Sequence, residues 1–419
     1  MVRIGLVDDI DDPDLAEAGS RQVLAALVRG LVGCGFETVV FLRGEGRYPA
    51  ILRSLGASVA PLDVPRGRAL YRRVAGRAVP SPVGFATTAA ALPAAVGAFA
   101  TLFRQHRLDA VYIAHPLFHV IAGFGARAAG IPAICHLQGI AQSGQRIKVL
   151  RPVYRALCRA SGCTVVAISR AVADAYGGPA RQRPRVIPNG IDTARFRPLP
   201  PDPQRFAALG VPLDGRPVVG LVGTLESIKR MERLPEFARY LLAARPDARI
   251  LVVGADLGDP SSLPPGSPGA RPSPYVRSIL DGLAAGGADG RVVLAGRRDD
   301  VPELLAGMDV LVHFCDREGF GLSLAEAGAA EVPVVAFDAA AVAEIVEDRV
   351  TGLLVPDPQD FAAMAARVVD LLADPDRRRA LGTQARQRVQ ARFSEAAFVG
   401  AFADLLRQCI ADRSIVHAR

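Results

Sequence analysis

The chain is nearly without lysine. Of its 50 basic residues only Lys148 and Lys229 are lysines, and all the others are arginine. A lysine that survives in such a chain carries information. Cysteines are few and scattered, at positions 34, 135, 158, 163, 315 and 409, with no Cys-x-x-Cys spacing among them. That argues against a structural zinc site or a disulfide frame, and for a reducing cytosol. No Gly-x-x-x-x-Gly-Lys-Ser/Thr loop occurs, which excludes a P-loop enzyme. The start, residues 1–7 followed by Asp8-Asp9-Ile10-Asp11-Asp12, has no basic segment and no long apolar run. It is not expected to be a signal peptide. The basic clusters carry few aromatics and no recognition motif, so nucleic acid is not an expected partner.

What the chain has is length and apolar content. At 419 residues, half of them hydrophobic, it exceeds one ordinary domain, and two are expected. Residues 83–103 run for 21 positions without a charge, long enough to cross a bilayer. The run is mostly alanine, glycine and threonine with Pro93 inside, so its transfer into lipid would gain little. A packed helix is expected instead. Charge is uneven. Residues 1–198 hold 25 basic and 12 acidic side chains, net +13, whereas residues 199–419 are net −5. The excess gathers at Arg66, Arg68, Arg72, Arg73 and Arg77, and again at Arg146, Lys148, Arg151, Arg155 and Arg159. The second group recurs every two to four residues, roughly one helix face. A basic half of this kind would draw an anionic membrane or an acidic partner. A solvated basic face is an equally good reading.

Short apolar runs alternate with helical patterns, giving two successive α/β halves. In the first, strands are expected at 3–7, 37–42, 110–114, 133–137 and 165–169, with a helix at 20–33. Residues 197–216 are rich in proline and read as a linker. In the second half, strands are expected at 217–222, 249–253, 291–295 and 309–314. Helices are expected there at 230–244, 301–306, 322–330, 359–373, 375–392 and 395–410. Residues 256–274 read as a long Pro/Gly/Ser-rich loop. The densest signal is the run from Glu318 to Glu326, Glu-Gly-Phe-Gly-Leu-Ser-Leu-Ala-Glu. It lies where a strand gives way to a helix, the place where an open parallel sheet binds ligands. The N–H groups of Gly321, Leu322 and Ser323 have no helical acceptor and suit an anion such as a diphosphate. Glu318 and Glu326 would repel phosphate but suit the hydroxyls of a ribose and a sugar.

The chain continues through Pro333-Val334-Val335, Glu344-Ile345-Val346 and Thr351-Gly352-Leu353-Leu354-Val355. In this order the residues resemble the donor-binding core of the retaining GT-B glycosyltransferases of family 4, the glycosyl transferases group 1. The run from Val186 to Asp192, Val-Ile-Pro-Asn-Gly-Ile-Asp, extends the resemblance into the first half, so that it covers nearly the whole chain. It implies an α/β GT-B fold, two Rossmann-like doubly wound domains facing a central cleft. Residues 1–197 would be the acceptor domain, 198–216 the linker and 217–393 the nucleotide-sugar domain. Residues 394–419 would form a helix packing back on the first domain. The resemblance also implies a retaining, metal-independent enzyme that takes a sugar from a UDP- or GDP-linked donor and uses no cofactor. Such an enzyme would work in the cytoplasm, with peripheral contact at the inner face of an anionic membrane. The acceptor stays open among envelope glycolipid, polysaccharide and specialised metabolite.

By the same resemblance Lys229, which follows Gly223 and Thr224, would neutralise the donor diphosphate together with the helix start at Gly321, Leu322 and Ser323. Glu326 would take the ribose. Glu318, with Gly319 and the Phe320 backbone, would take the sugar. Gly19 and Arg297 join this donor-binding set, while His115 and Asn189 would line the acceptor side of the cleft. Several positions depart from the family pattern. Thr224 stands where a second diphosphate cation belongs, which makes Arg230 the candidate substitute. Gln138 stands where the family has a histidine beside the reacting sugar, and an amide takes no proton at neutral pH. His136, two residues earlier on the same side of a strand, is the candidate substitute there. Lys229, Glu318, Gln138 and His136 are thus the candidate catalytic set. Ala340-Ala341 and Ala18-Gly19 replace two Gly-Gly pairs. These departures keep two alternatives open: a GT-B phosphorylase or epimerase-like enzyme, and a non-catalytic homologue serving as a partner subunit. Asp9-Ile10-Asp11 matches the Asp-x-Asp of metal-dependent transferases but reads better as a solvated loop with a helix cap.

Overall fold

Val, Ile and Leu dominate the strands, and the central ones are buried along most or all of their length, as a parallel sheet with helices on both faces requires. The computed structural model describes residues 1–8, 19–64, 71–74, 77–80, 82–139, 151–257, 269–288 and 290–417. The acidic run at 9–12, Ala18, Arg66, Arg68, Arg146 and Lys148 lie outside them, as does most of the 256–274 loop. Contacts divide the chain into two units, Met1–Pro188 with Ala396–Arg419, and Asn189–Glu395.

The first unit contains strands β1 (Arg3–Val7), β2 (Glu37–Leu42), β3 (Ser58–Pro61), β4 (Tyr71–Val74), β5 (Arg77–Pro80), β6 (Ala110–Ile113), β7 (Ala133–Leu137), β8 (Thr164–Ala167) and β9 (Arg185–Val186). Its helices are α1 (Gly19–Gly33), α2 (Arg47–Ser54), α3 (Pro82–Gln105), α4 (Pro116–Ala129), α5 (Arg151–Ala160) and α6 (Arg170–Tyr176). Seven strands form one sheet in the order β3-β2-β1-β6-β7-β8-β9, and β4 with β5 makes a separate antiparallel pair. The order reverses between β1 and β6. The uncharged run lies in α3, where Phe99 and Phe103 are fully buried and Phe99 meets Phe118 of α4 edge-on at 5.4 Å. Among the described residues no helix is long and apolar enough to cross a membrane.

The second unit contains α7 (Pro203–Ala208), β10 (Val218–Val222), α8 (Leu234–Ala244), β11 (Arg249–Val253), α9 (Pro274–Ala285), β12 (Val292–Leu294), α10 (Val301–Leu305) and β13 (Val310–His313). It continues through α11 (Leu322–Ala329), β14 (Val334–Phe337), α12 (Val342–Ile345), β15 (Gly352–Val355), α13 (Phe361–Ala373) and α14 (Pro375–Arg392). Its parallel sheet runs β12-β11-β10-β13-β14-β15, with the reversal between β10 and β13. The last helix, α15 (Glu395–His417), belongs to the first unit for nearly its whole length. Phe402 of α15 is fully buried against Tyr112 at 5.5 Å and His136 at 5.0 Å, and Val399 fills the space left open at Gly30.

Three expectations shift. The 230–244 helix begins only at Leu234, after two 3₁₀ turns, because Arg230 sits in the left-handed region at φ 57°. The 198–216 segment is no bare linker. It holds α7, whose Phe206 is fully buried over Gly307. Residues 189–197 pack with the second unit, where the Ile191 N–H donates to the Phe393 carbonyl at 2.7 Å.

Candidate active site

In the second unit, β13 ends between β10 and β14, beside the reversal in strand order where an open sheet leaves room for a ligand. The chain leaves β13 through Phe314 and Cys315, loops through Glu318 and enters α11 at Gly321. Gly321 has φ 96°, and a side chain there would stand 2.7 Å from Leu324 Cδ1, so only glycine fits. Phe320 anchors the loop edge-on against Phe393 at 5.6 Å. Among the described residues no protein acceptor takes the N–H groups of Gly321, Leu322 and Ser323. They form an open cradle at a helix start.

Lys229 arrives from the turn after β10, 89 residues earlier in sequence, and places Nζ 2.7 Å from Glu318 Oε2. The same oxygen meets His313 Nε2 at 3.1 Å, and Oε1 accepts the Gly319 N–H at 3.2 Å. Burial alone would raise the Glu318 carboxyl, but the His313 hydrogen bond and the Lys229 ammonium outweigh it and hold the group well below the usual carboxylate range. Burial likewise works against the Lys229 charge, and Glu318 more than compensates, so the ammonium is held above its ordinary value. Glu326, one turn into α11, is in a different state. It is buried without a hydrogen bond from any described residue, and burial pushes its carboxyl up to about 7, with Arg195 opposing.

Two of the candidate substitutes point elsewhere. Arg230 does not face the cradle. Its guanidinium donates to the Pro358 carbonyl at 2.7 Å and to Gln359 at 3.1 Å, pairs with Asp316 at 3.4 Å and lies over Phe337 and Phe361. The left-handed backbone at this residue turns the side chain away from that of Lys229. His136 is fully buried, its Nδ1 2.5 Å from the Tyr112 hydroxyl, and burial lowers its basicity to about 3. It is a core residue under α15 and is not placed to take a proton from a substrate. Gln138, on the same strand side, is half-buried and donates to the Tyr112 hydroxyl at 3.4 Å.

The remaining candidates are spread along the fold. Thr224 donates to Glu226 at 2.8 Å, and Gly223 crosses so close to Gly254 that a side chain on Gly254 would lie 1.8 Å from its carbonyl oxygen. Arg297 is half-buried just after β12. Asn189 is buried in the second unit, and its Oδ1 has no hydrogen-bond partner among the described residues. Gly19 opens α1, and His115 follows β6 with its ring 6.1 Å from Phe118, both in the first unit. The structure also brings in two residues that the motif reading missed, His313 and Cys315. Their signal was a histidine in a valine-rich strand, a cysteine two residues on and a glutamate three further.

The chain matches the family model described as Glycosyltransferase Family 4 over residues 18–195, and the one described as Glycosyl transferases group 1 over residues 216–374. It is 27% identical to a D-inositol 3-phosphate glycosyltransferase of Thermobispora bispora over 96% of this chain and 92% of that protein. The protein of the same description from Kineococcus radiotolerans is 32% identical, over 58% of this chain. That match spans 56% of the relative's length, little more than half. Among solved structures, Anabaena HepE in complex with UDP covers 97% of this chain and all of its own at a TM-score of 0.76 and 21% identity, a likeness of fold. The same protein has been solved with UDP and glucose and with UDP-glucose. The two sheets with their order reversals are those of the GT-B fold, and the chain belongs to the group 1 glycosyl transferases of glycosyltransferase family 4.

Proposed function

We propose that the protein transfers a sugar from a nucleotide diphosphate donor, UDP- or GDP-linked, to an acceptor, with retention of anomeric configuration. The observation that carries this reading is the assembly of Lys229, Glu318 and an open N–H cradle at one point of the second sheet. The diphosphate takes the cradle and draws Lys229 onto it, as an anion at a helix start with a fixed cation beside it does. Glu318, ionised and released from Lys229, accepts hydrogen bonds from sugar hydroxyls. Glu326, without a partner of its own, accepts from the ribose. As the glycosidic bond lengthens, negative charge grows on the leaving diphosphate, and Lys229 with the N–H groups stabilises it. The leaving phosphate takes the acceptor proton on the same face, which requires no basic residue at Gln138.

The net positive first half favours an acceptor bearing negative charge, and the two curated relatives described above are named for a phosphate-bearing acceptor. On α5, Val153 and Leu157 are 52% and 39% exposed, one turn apart in a helix that also carries Arg151, Arg155 and Arg159. This supports peripheral contact with an anionic membrane. Co-sedimentation with anionic vesicles that fails at high salt checks it. The function itself is tested by calorimetry with UDP, GDP and their sugars, followed by NMR of the product. One nucleoside diphosphate should bind, and the transferred sugar should keep its anomeric configuration. No binding of any nucleotide, or an inverted product, would sink the reading.

A further inference from the structure

Three chemically different metal ligands converge beside the cradle. His313 Nε2, Cys315 Sγ and a Glu318 carboxylate oxygen lie within 4.8 Å of one another, all from buried residues. His313 Nε2 and Glu318 Oε2 are 3.1 Å apart. Around a tetrahedral zinc ion, with bonds of about 2.0–2.3 Å, neighbouring ligand atoms stand about 3.3–3.8 Å apart. Small side-chain rotations therefore suffice to close the set. We infer that His313, Cys315 and Glu318 form a binding site for a divalent ion of the zinc class, and that the ion competes with the donor sugar for Glu318. The competition rests on the function proposed above; the metal site does not.

The ligand types select the metal. A thiolate, an imidazole and one carboxylate suit zinc or cobalt and do not suit magnesium or calcium, which require oxygen. Three protein ligands leave a fourth position open. The surroundings are already arranged. The Cys315 thiol donates to the Ile228 carbonyl at 3.1 Å, and Glu318 Oε1 is fixed by the Gly319 N–H. Lys229 is the obstacle and the way in. Its ammonium holds the oxygen the ion needs, yet its side chain is 28% exposed and can leave toward solvent. A dication and an ammonium repel one another across one oxygen, so the ion displaces Lys229. On binding, the Cys315 S–H bond breaks, its proton goes to water, and the sulfur lone pair forms the metal bond without any change of oxidation state. One proton is then released per ion.

The test titrates cobalt(II), a spectroscopic stand-in for zinc, into the full chain. One equivalent should give a sulfur-to-cobalt charge-transfer band and the visible absorption of a four-coordinate ion. Cys315→Ser, nearly the same size, should lose the charge-transfer band while keeping the native circular dichroism. His313→Gln should weaken binding at least tenfold. The nucleotide sugar that passes the binding test above should then remove the band from the wild-type complex, and the matching nucleoside diphosphate, which has no sugar to place on Glu318, should leave it. A band undiminished in Cys315→Ser, or no stoichiometric binding at all, overturns the metal site and leaves the proposed function standing. A band that the nucleotide sugar does not disturb overturns the competition and with it the sugar-binding role of Glu318.

Discussion

Lys229 and Arg230 are adjacent in sequence, and the structure puts them to opposite uses. Lys229 reaches Glu318 in the loop before the cradle, whereas Arg230 is spent on Pro358, Gln359, Asp316 and two phenylalanine faces. Lys229→Ala is expected to lower turnover about a hundredfold by removing the fixed cation from the leaving group. It should cost only about 1 kcal/mol of stability, since the pair is partly open to solvent. Arg230→Ala should do the reverse, costing about 2–4 kcal/mol with turnover per folded molecule little changed. Urea unfolding and kinetics on the same preparations separate the two. An Arg230→Ala protein of normal stability and no activity would exchange their roles. Glu326 adds a pH dependence. Its carboxyl rises from an unfolded value near 4.5 to about 7 on folding. The folded state thus holds the proton more tightly, and the stability this contributes is present below pH 4.5 and lost as pH rises through 7. Glu326→Gln, which mimics the protonated form, should be about 1–3 kcal/mol more stable than wild type at pH 8 and equal to it at pH 4. Its nucleotide affinity should fall at pH 8. Identical wild-type and variant stability at both pH values would show that the carboxyl is not perturbed.

At the scale of elements, the segment from β14 to β15 shows what a motif is for. In Glu344-Ile345-Val346, the backbone carbonyls of Glu344 and Ile345 accept from Arg388 of α14 at 3.1 and 2.9 Å. Thr351 Oγ1 receives the Glu347 N–H at 2.8 Å, and a side chain on Gly352 would sit 2.7 Å from the Val334 carbonyl oxygen. These residues brace the chain between β14 and β15 against α14 and the neighbouring strand. Ala340 lies in the same segment with φ 51°, where the family resemblance leads one to expect glycine. Ala341, beside it, donates to the Glu318 carbonyl at 3.2 Å. Left-handed alanine costs about 1–2 kcal/mol, partly offset by the lower entropy of its unfolded chain. Ala340→Gly should therefore stabilise the protein by about 0.5–1 kcal/mol in denaturant unfolding. A less stable glycine variant would mean that the turn carries no strain.

For the molecule as a whole, the notable dependence is of the first unit on the last helix. The unit begins with β1 and is completed only by α15, whose Phe402 and Leu406 are fully buried. Phe402 covers the Tyr112–His136 pair to which Gln138 is tied. Phe402→Ala should cost about 3–5 kcal/mol through the cavity left behind. Removing residues 396–419 should leave the first unit unable to fold cooperatively. A truncated chain with an unchanged unfolding transition would show that α15 is dispensable.

Much of this was legible in the amino-acid order because it is local. Strand periods set β1, β2, β7 and β11 to the residue, and the Glu-Gly-Phe-Gly turn before an apolar helix placed the cradle. What the order of residues left undecided were side-chain destinations. Gln138 and His136 share a strand face, but only the arrival of α15 makes one of them core. Lys229 and Arg230 are both cations after one strand, but a single backbone angle of φ 57° separates their directions. His313 lies inside the expected strand at 309–314 and Cys315 among the scattered cysteines, until the fold gathers both on Glu318 beside Lys229, 89 residues upstream of it. A motif records which groups are close along the chain. Burial and charge pairing, which decide what those groups can do, come from segments distant in sequence and exist only once the chain has folded.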